Sequence, residues 1–194
     1  MIIVEGCFKR DNRSLAQHLT SALPAMQREA DAPDSAEADD LLTYMSRVLG
    51  KCPKTTGRLV LNGFPLIAEL ATGPVLRGTL MFSDDQIATV MDRLRIHDPL
   101  IVHCFRPRNQ TEAIRAEAER MECGVTEILE IMSRYDAILS EHWAARVVAH
   151  DLSPAGRDLV VRLVADYLNE PPKWAAGPSR PTPCALIPGW RPYW

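Results

Sequence analysis

No run of about 18 consecutive apolar residues occurs in this chain, so no segment is predicted to cross a bilayer as a helix. There is no CxxC pair. The five cysteines, Cys7, Cys52, Cys104, Cys123 and Cys184, are scattered and odd in number. That excludes a zinc ribbon or a paired disulfide framework, and it predicts reduced thiols and no bound metal. Neither charge dominates: the net charge is -3 and the pI is near 6.0. The balance gives no global attraction to nucleic acid or a membrane surface, although a local basic patch is allowed. No signal-peptide pattern opens the chain, so a cytoplasmic location is the expectation. No internal repeat is present.

What the chain does have is apolar content. Of its 194 residues, 46% are hydrophobic, enough for one domain with a substantial core. The first sixteen residues, MIIVEGCFKRDNRSLA, organise the rest. Met1-Ile2-Ile3-Val4 reads as a buried strand because it is short, apolar and β-branched. Glu5-Gly6 follows, and a helical period begins at Ser14 with Leu15, Leu19 and Leu23. Strand, tight loop and helix form the context of a phosphate-binding loop. Counted from Gly6, such a loop needs Gly at 11, Lys at 12 and a hydroxyl at 13. The sequence has Asp11, Asn12 and Arg13. Asp11 brings a side chain and a negative charge where the backbone should approach phosphate. Asn12 cannot neutralise phosphate as Lys does, and the Arg13 guanidinium repels Mg2+. Lys9, Arg10 and Arg13 still leave the loop basic, and the first helical turn is expected to offer free N–H groups. An anion site survives on this reading, in a form unlike the usual one. The plainer alternative is that Asp11 or Asn12 only caps a surface helix.

Further along, residues 15 to 24 read as a helix ending near Pro24. Residues 27 to 40 are acidic and poor in large apolar groups, so they read as a loop or mobile insertion. A helix over about 37 to 49 follows, stopped by Gly50-Lys51-Cys52-Pro53. Arg58 to Asn62 is a second strand, and Thr72-Gly73-Pro74 reads as a turn. Ser83-Asp84-Asp85-Gln86 is a capping box opening a helix with Ile87, Val90, Met91 and Leu94 on one face. Leu100 to Cys104 is a third strand, followed by the basic loop Phe105-Arg106-Pro107-Arg108. Asn109 to Glu112 can cap a long helical region reaching about Met132, interrupted near Gly124. Arg146 to Ala149 is a fourth strand. Ser153-Pro154 then starts the last helix, with Pro at its first position. From Pro171 onward the chain is a Pro-rich tail with Trp174, Trp190, Tyr193 and Trp194. Residues 1 to 170 are read as one domain and 171 to 194 as this tail. Apolar strands alternating with helices predict an α/β fold, a parallel sheet with helices on both faces. Ligands of such sheets bind beyond the carboxyl ends of the strands, where the loops after the first three strands emerge.

In this order the motifs resemble the thymidylate-kinase-like P-loop nucleotide kinases, in particular the small versions of bacteriophages. The resemblance runs through IIVEG and Ser14-Leu15-Ala16-Gln17-His18-Leu19. It continues through Asn62-Gly63-Phe64-Pro65-Leu66-Ile67-Ala68-Glu69 and Gly73-Pro74-Val75-Leu76-Arg77-Gly78. Cys104-Phe105-Arg106-Pro107, Tyr135-Asp136 and His150-Asp151 complete it. It covers about residues 1 to 168 and implies a three-layer P-loop nucleoside or nucleotide kinase fold. The departures fall on the chemistry. The family's Asp-Arg pair, which serves substrate phosphates and the metal site, is Asn62-Gly63 here, and a following Ser is Ala68. With the altered phosphate loop, little ATP-dependent catalysis is expected, because phosphoryl transfer rests on positioning and charge neutralisation.

The resemblance implies an acceptor pocket at Phe64, Pro65, Glu69 and Arg77. Anion or phosphate contacts fall on Lys9, Arg10, Arg13, Arg106 and Arg108. The reading is a catalytically degenerate kinase-like protein. It binds a nucleotide or nucleoside monophosphate, or a kinase-like partner in a homo- or hetero-oligomer, within phage nucleotide or DNA-base metabolism. No catalytic residue is assigned. The alternative is an active kinase for a deoxynucleoside monophosphate or a modified pyrimidine in DNA. That version uses ATP and Mg2+, with Lys9, Arg10 and Arg13 in place of the lost Lys. A third reading is a structural subunit held by its aromatic tail. Trp174 with Arg180 and Arg191 could also stack on nucleic-acid bases. His103 reads as a core histidine and His150-Asp151 as a strand-end cap. Cys7 is a candidate reactive thiol beside Lys9 and Arg10.

Overall fold

The structure, a computed structural model, describes residues 1–33, 37–51, 58–143 and 146–169. The aromatic tail and the Cys52-Pro53 stop lie outside the described residues. Among the described residues, five strands form one sheet, with spatial order β2-β3-β1-β4-β5. They are β1 (Ile2–Glu5), β2 (Gln27–Arg28), β3 (Leu59–Asn62), β4 (Leu100–Cys104) and β5 (Val147–His150). Every pairing is parallel. The helices are α1 (Lys9–Ala22), α2 (Ala38–Lys51), α3 (Pro65–Leu76), α4 (Asp84–Ile96), α5 (Thr111–Arg120), α6 (Val125–Trp143) and α7 (Pro154–Asn169).

Side chains alternate across a strand, so each strand feeds two cores. Met1, Ile3, Leu61 and Ile101 point to one face and pack with α2 to α6. Ile2, Val4, Val60, Leu100 and Val102 point to the other and pack with α1 and α7. A sheet buried on both faces explains why its strands read as unbroken apolar runs. The expected α/β fold, a parallel sheet flanked by helices, is what the chain adopts.

Several local expectations give way. Gln27–Arg28 is a strand pairing with β3, not part of a loop, because Gln27 and Glu29 N–H groups reach the Arg58 and Val60 carbonyls. Gly50 and Lys51 lie inside α2, so the helix passes the first half of the expected stop. The long helical region is two helices. The second continues to Trp143, because Ile128, Ile131, Tyr135 and Leu139 sustain the buried stripe. The N-cap of α5, Gln110, does fall within the expected stretch 109–112, but makes no side-chain cap bond.

Thr72-Gly73-Pro74 is not a turn; it lies within α3. Pro74 removes the N–H that would serve the Leu70 carbonyl. Arg134 on α6 supplies the replacement, donating from Nε at 3.3 Å and Nη2 at 3.1 Å. The expected capping box does form: Ser83 Oγ accepts from Gln86 N–H and Gln86 Oε1 accepts from Ser83 N–H. At α7, Gly156 N–H donates to Ser153 Oγ at 3.0 Å, as Ser153-Pro154 predicts.

Candidate functional site

The parallel sheet sends all its carboxyl ends to one edge: Glu5, Arg28, Asn62, Cys104 and His150. The connection after β1 is only Gly6-Cys7-Phe8, because α1 begins at Lys9 rather than Ser14. Lys9, Arg10 and Arg13 are therefore helical residues and not a loop. Neither Asp11 nor Asn12 caps the helix; the N-cap is Phe8, which has no side-chain cap bond. The early start has a local cause. Asn12 is buried and its Nδ2 donates to the Gly6 carbonyl at 2.8 Å, drawing the first turn back onto the loop. Gly6 itself has φ +143°, and a Cβ there would stand 2.2 Å from the Cys104 carbonyl oxygen.

This start uses up part of the cradle expected of a phosphate loop. The N–H groups of Lys9, Asp11 and Asn12 donate to the Cys7 and Phe8 carbonyls, and Gly6 N–H donates to Glu5 Oε1. Four backbone donors at this turn, expected from the sequence to be free, are thus spent within the chain. The positive charge available to an anion at this turn lies on side chains.

Those side chains are basic. Lys9 and Arg10 are exposed and make no ion pair among the described residues. Arg106, after β4, crosses to α1: its Nη2 lies 2.6 Å from Asp11 Oδ2, its Nη1 donates to Gln110, and its guanidinium covers the Phe8 ring at 5.4 Å. Arg108 donates to Ser133 Oγ at 2.9 Å. Asp31, just after β2, accepts from three directions. Arg13 Nη2 is 2.9 Å away, Arg28 Nη2 2.7 Å and Asn62 Nδ2 3.2 Å. Asp31 is not singled out by the sequence, since Arg13 and Asn62 reach it from distant segments, and Arg28 joins it only as its local partner.

The expected acceptor residues sit together on or beside α3, with Phe64, Pro65 and Glu69 buried and Arg77 exposed. Phe64 is fully buried; its N–H donates to Glu5 Oε2 at 2.8 Å, and Pro65 opens α3 behind it. Glu69 is buried too. Arg77 Nη2 reaches both its oxygens at 2.5 Å, and Met81 N–H donates to it at 2.7 Å. A Cβ on Gly73 would stand 2.5 Å from Glu69 Oε1, so glycine makes room for this pair.

Beneath the edge lies a buried polar cluster centred on Glu5. Its carboxyl accepts from Phe64 N–H, Gly6 N–H and Tyr135 OH, the last at 3.2 Å. Burial outweighs those bonds and raises its pKa to about 7. His103, beside Glu5 in the parallel register, stacks on Tyr135 at 6.0 Å. Burial pushes its pKa down to about 4, so it is neutral at pH 7, as a core histidine should be. Cys7 is buried and its thiol pKa is pushed up by burial, which removes it as a reactive thiolate. Asp151 caps the strand end by accepting from Ser153 N–H at 3.0 Å, while both ring nitrogens of buried His150 lack a hydrogen-bond partner among the described residues. Among the described residues, no group of three or more His, Cys, Asp or Glu side chains could hold a metal ion. No described helix is long and apolar enough to cross a membrane.

The architecture has a solved counterpart. The chain is similar to the YorR protein of Bacillus subtilis, solved in complex with phosphorylated GDP: the TM-score is 0.58 at 14% identity. The match covers 88% of this chain and 99% of that one. At that identity the likeness speaks for the fold. No family model matches the chain, and no curated protein matches it.

Proposed function

We propose that this protein is a catalytically degenerate nucleotide kinase of the thymidylate-kinase-like type, which binds a nucleotide or nucleoside monophosphate without transferring phosphate from ATP. One observation carries the reading. Where a phosphate loop would stand, α1 starts early and bonds its own N–H groups, while basic side chains remain around the same sheet edge. Phosphoryl transfer needs phosphates held by a backbone cradle and a lysine, with a metal ion bridging them. This edge spends four of the cradle's N–H groups within the chain and has Asn12 where the lysine would stand. Binding needs less, because guanidinium groups match phosphate in planar, charge-assisted pairs.

Lys9, Arg10, Arg13, Arg106 and Arg108 are the proposed phosphate contacts, and Phe64, Pro65, Glu69 and Arg77 shape the acceptor side. The nucleotide in YorR, which shares the fold, supports a nucleotide as the ligand class. The order of motifs supports a role in phage nucleotide or DNA-base metabolism, with a kinase-like protein as the partner to seek. Calorimetric titration with GDP, ATP and each deoxynucleoside monophosphate tests the reading, alongside a phosphate-transfer assay. Nucleotide binding without transfer is the expected result. Turnover of ATP that Lys9, Arg10 and Arg13 together are needed for would instead establish an active kinase of altered design.

A further inference from the structure

In P-loop enzymes the divalent cation is held between a hydroxyl at the start of the helix and a carboxylate from a neighbouring strand. In this chain the hydroxyl position is Arg13 and the end of β3 is Asn62. The tertiary structure shows what became of the space between them. Both side chains reach the same carboxylate: Asp31 takes Arg13 Nη2 at 2.9 Å and Asn62 Nδ2 at 3.2 Å. Arg28 Nη2 joins at 2.7 Å. Because a carboxylate only accepts, Asn62 must turn its NH2 group towards it.

This donor set does not fit Mg2+. That ion asks for oxygen ligands in near-octahedral array. Here two guanidiniums surround one carboxylate, so the cluster is net positive before any ligand arrives. The same set fits a phosphate. Arg13 spends Nη2 on Asp31, its side chain is 59% exposed, and a guanidinium carries five N–H donors in all. Asp31 fixes the fork in place, which reduces the entropy lost on binding.

We infer that Arg13, held by Asp31, stands in for the divalent cation, so that the site takes its phosphate ester free of Mg2+. This rests on the nucleotide-binding reading above and specifies the form in which the ligand binds. A metal-bound phosphate presents neutralised oxygens and an added positive charge to two arginines, and should bind more weakly than the free ester.

The test is calorimetry of the full chain with GDP and with inorganic pyrophosphate, in excess EDTA and in excess Mg2+. The expected result is binding in EDTA at least as tight as in Mg2+, weakened tenfold or more by Arg13→Gln with the melting temperature retained. Arg13→Ser combined with Asn62→Asp restores the oxygen ligands, and should reverse the preference so that Mg2+ tightens binding. Wild-type binding that requires Mg2+, or that is indifferent to Arg13→Gln, overturns the inference and leaves nucleotide binding standing. Absence of binding by the wild type in both buffers overturns the nucleotide reading itself, and this inference with it.

Discussion

Arg134 on α6 donates twice to the Leu70 carbonyl on α3, the carbonyl that Pro74 has no N–H to serve. The arginine thereby lets a helix run through a Gly-Pro pair. Removing it leaves a part-buried acceptor without its charged donor, so Arg134→Ala should cost about 1–2 kcal/mol. Pro74→Ala restores the N–H. In that background the same arginine substitution should cost clearly less, and urea denaturation of the four proteins in a double-mutant cycle measures the difference. Equal costs in both backgrounds would reject the coupling.

Glu5 makes stability depend on pH. Its folded pKa of about 7 lies above its ordinary value of 4.5, so the folded state holds the proton more tightly than the unfolded chain. Its favourable contribution is complete below about pH 4.5 and is lost as the pH rises through about 7. The shift corresponds to roughly 3 kcal/mol across that window. Glu5→Gln keeps the shape and removes this titration, leaving the opposite slope of His103, whose lowered folded pKa of about 4 makes stability rise with pH. Stability of the mutant relative to the wild type should therefore rise across this window. Chemical denaturation at a series of pH values reads this directly, and a mutant curve parallel to the wild type's would assign the dependence elsewhere.

Two glycines with positive φ should respond differently to alanine. At Gly6 the new Cβ meets the Cys104 carbonyl oxygen at 2.2 Å, a backbone atom that can move only with β4. At Gly78, φ +73°, nothing lies within 4 Å. Gly6→Ala should therefore lose about 3 kcal/mol or more, or fail to fold. Gly78→Ala should lose only the left-handed backbone cost of about 1–2 kcal/mol. Thermal melts of the two variants compare them.

Asp11 holds Arg106 across the start of α1 at 2.6 Å, with both side chains about a quarter exposed. Asp11→Asn removes one negative charge from the proposed phosphate side and frees the guanidinium. Affinity for GDP or pyrophosphate should rise about fivefold, close to 1 kcal/mol, with the gain shrinking as salt is added. An unchanged Kd would place the anion away from this pair.

The sequence by itself determined the features that short-range chemistry controls. Apolar β-branched runs marked four of the five strands among the described residues, because a parallel sheet covered on both faces buries its central strands β1 and β4 along their whole length. Ser83 with Gln86, and Ser153 with Pro154, marked helix starts because a cap is settled within four residues. From those elements the α/β class and the ligand-bearing edge followed. The tertiary structure alone decided what that edge can do. α1 starts at Lys9 because Asn12 bonds back to Gly6, and α3 continues past Pro74 because a helix sixty residues away supplies Arg134. Glu69 and Arg77 spend their charges on each other, eight residues apart, around a glycine with no side chain. Arg13, Arg28 and Asn62 come from three elements and meet on Asp31, whose own neighbours in the chain look like an acidic surface loop. Periodicity and capping record what a residue does with its neighbours in sequence. A charge's partner is set by where the chain returns in space, and no local pattern carries that.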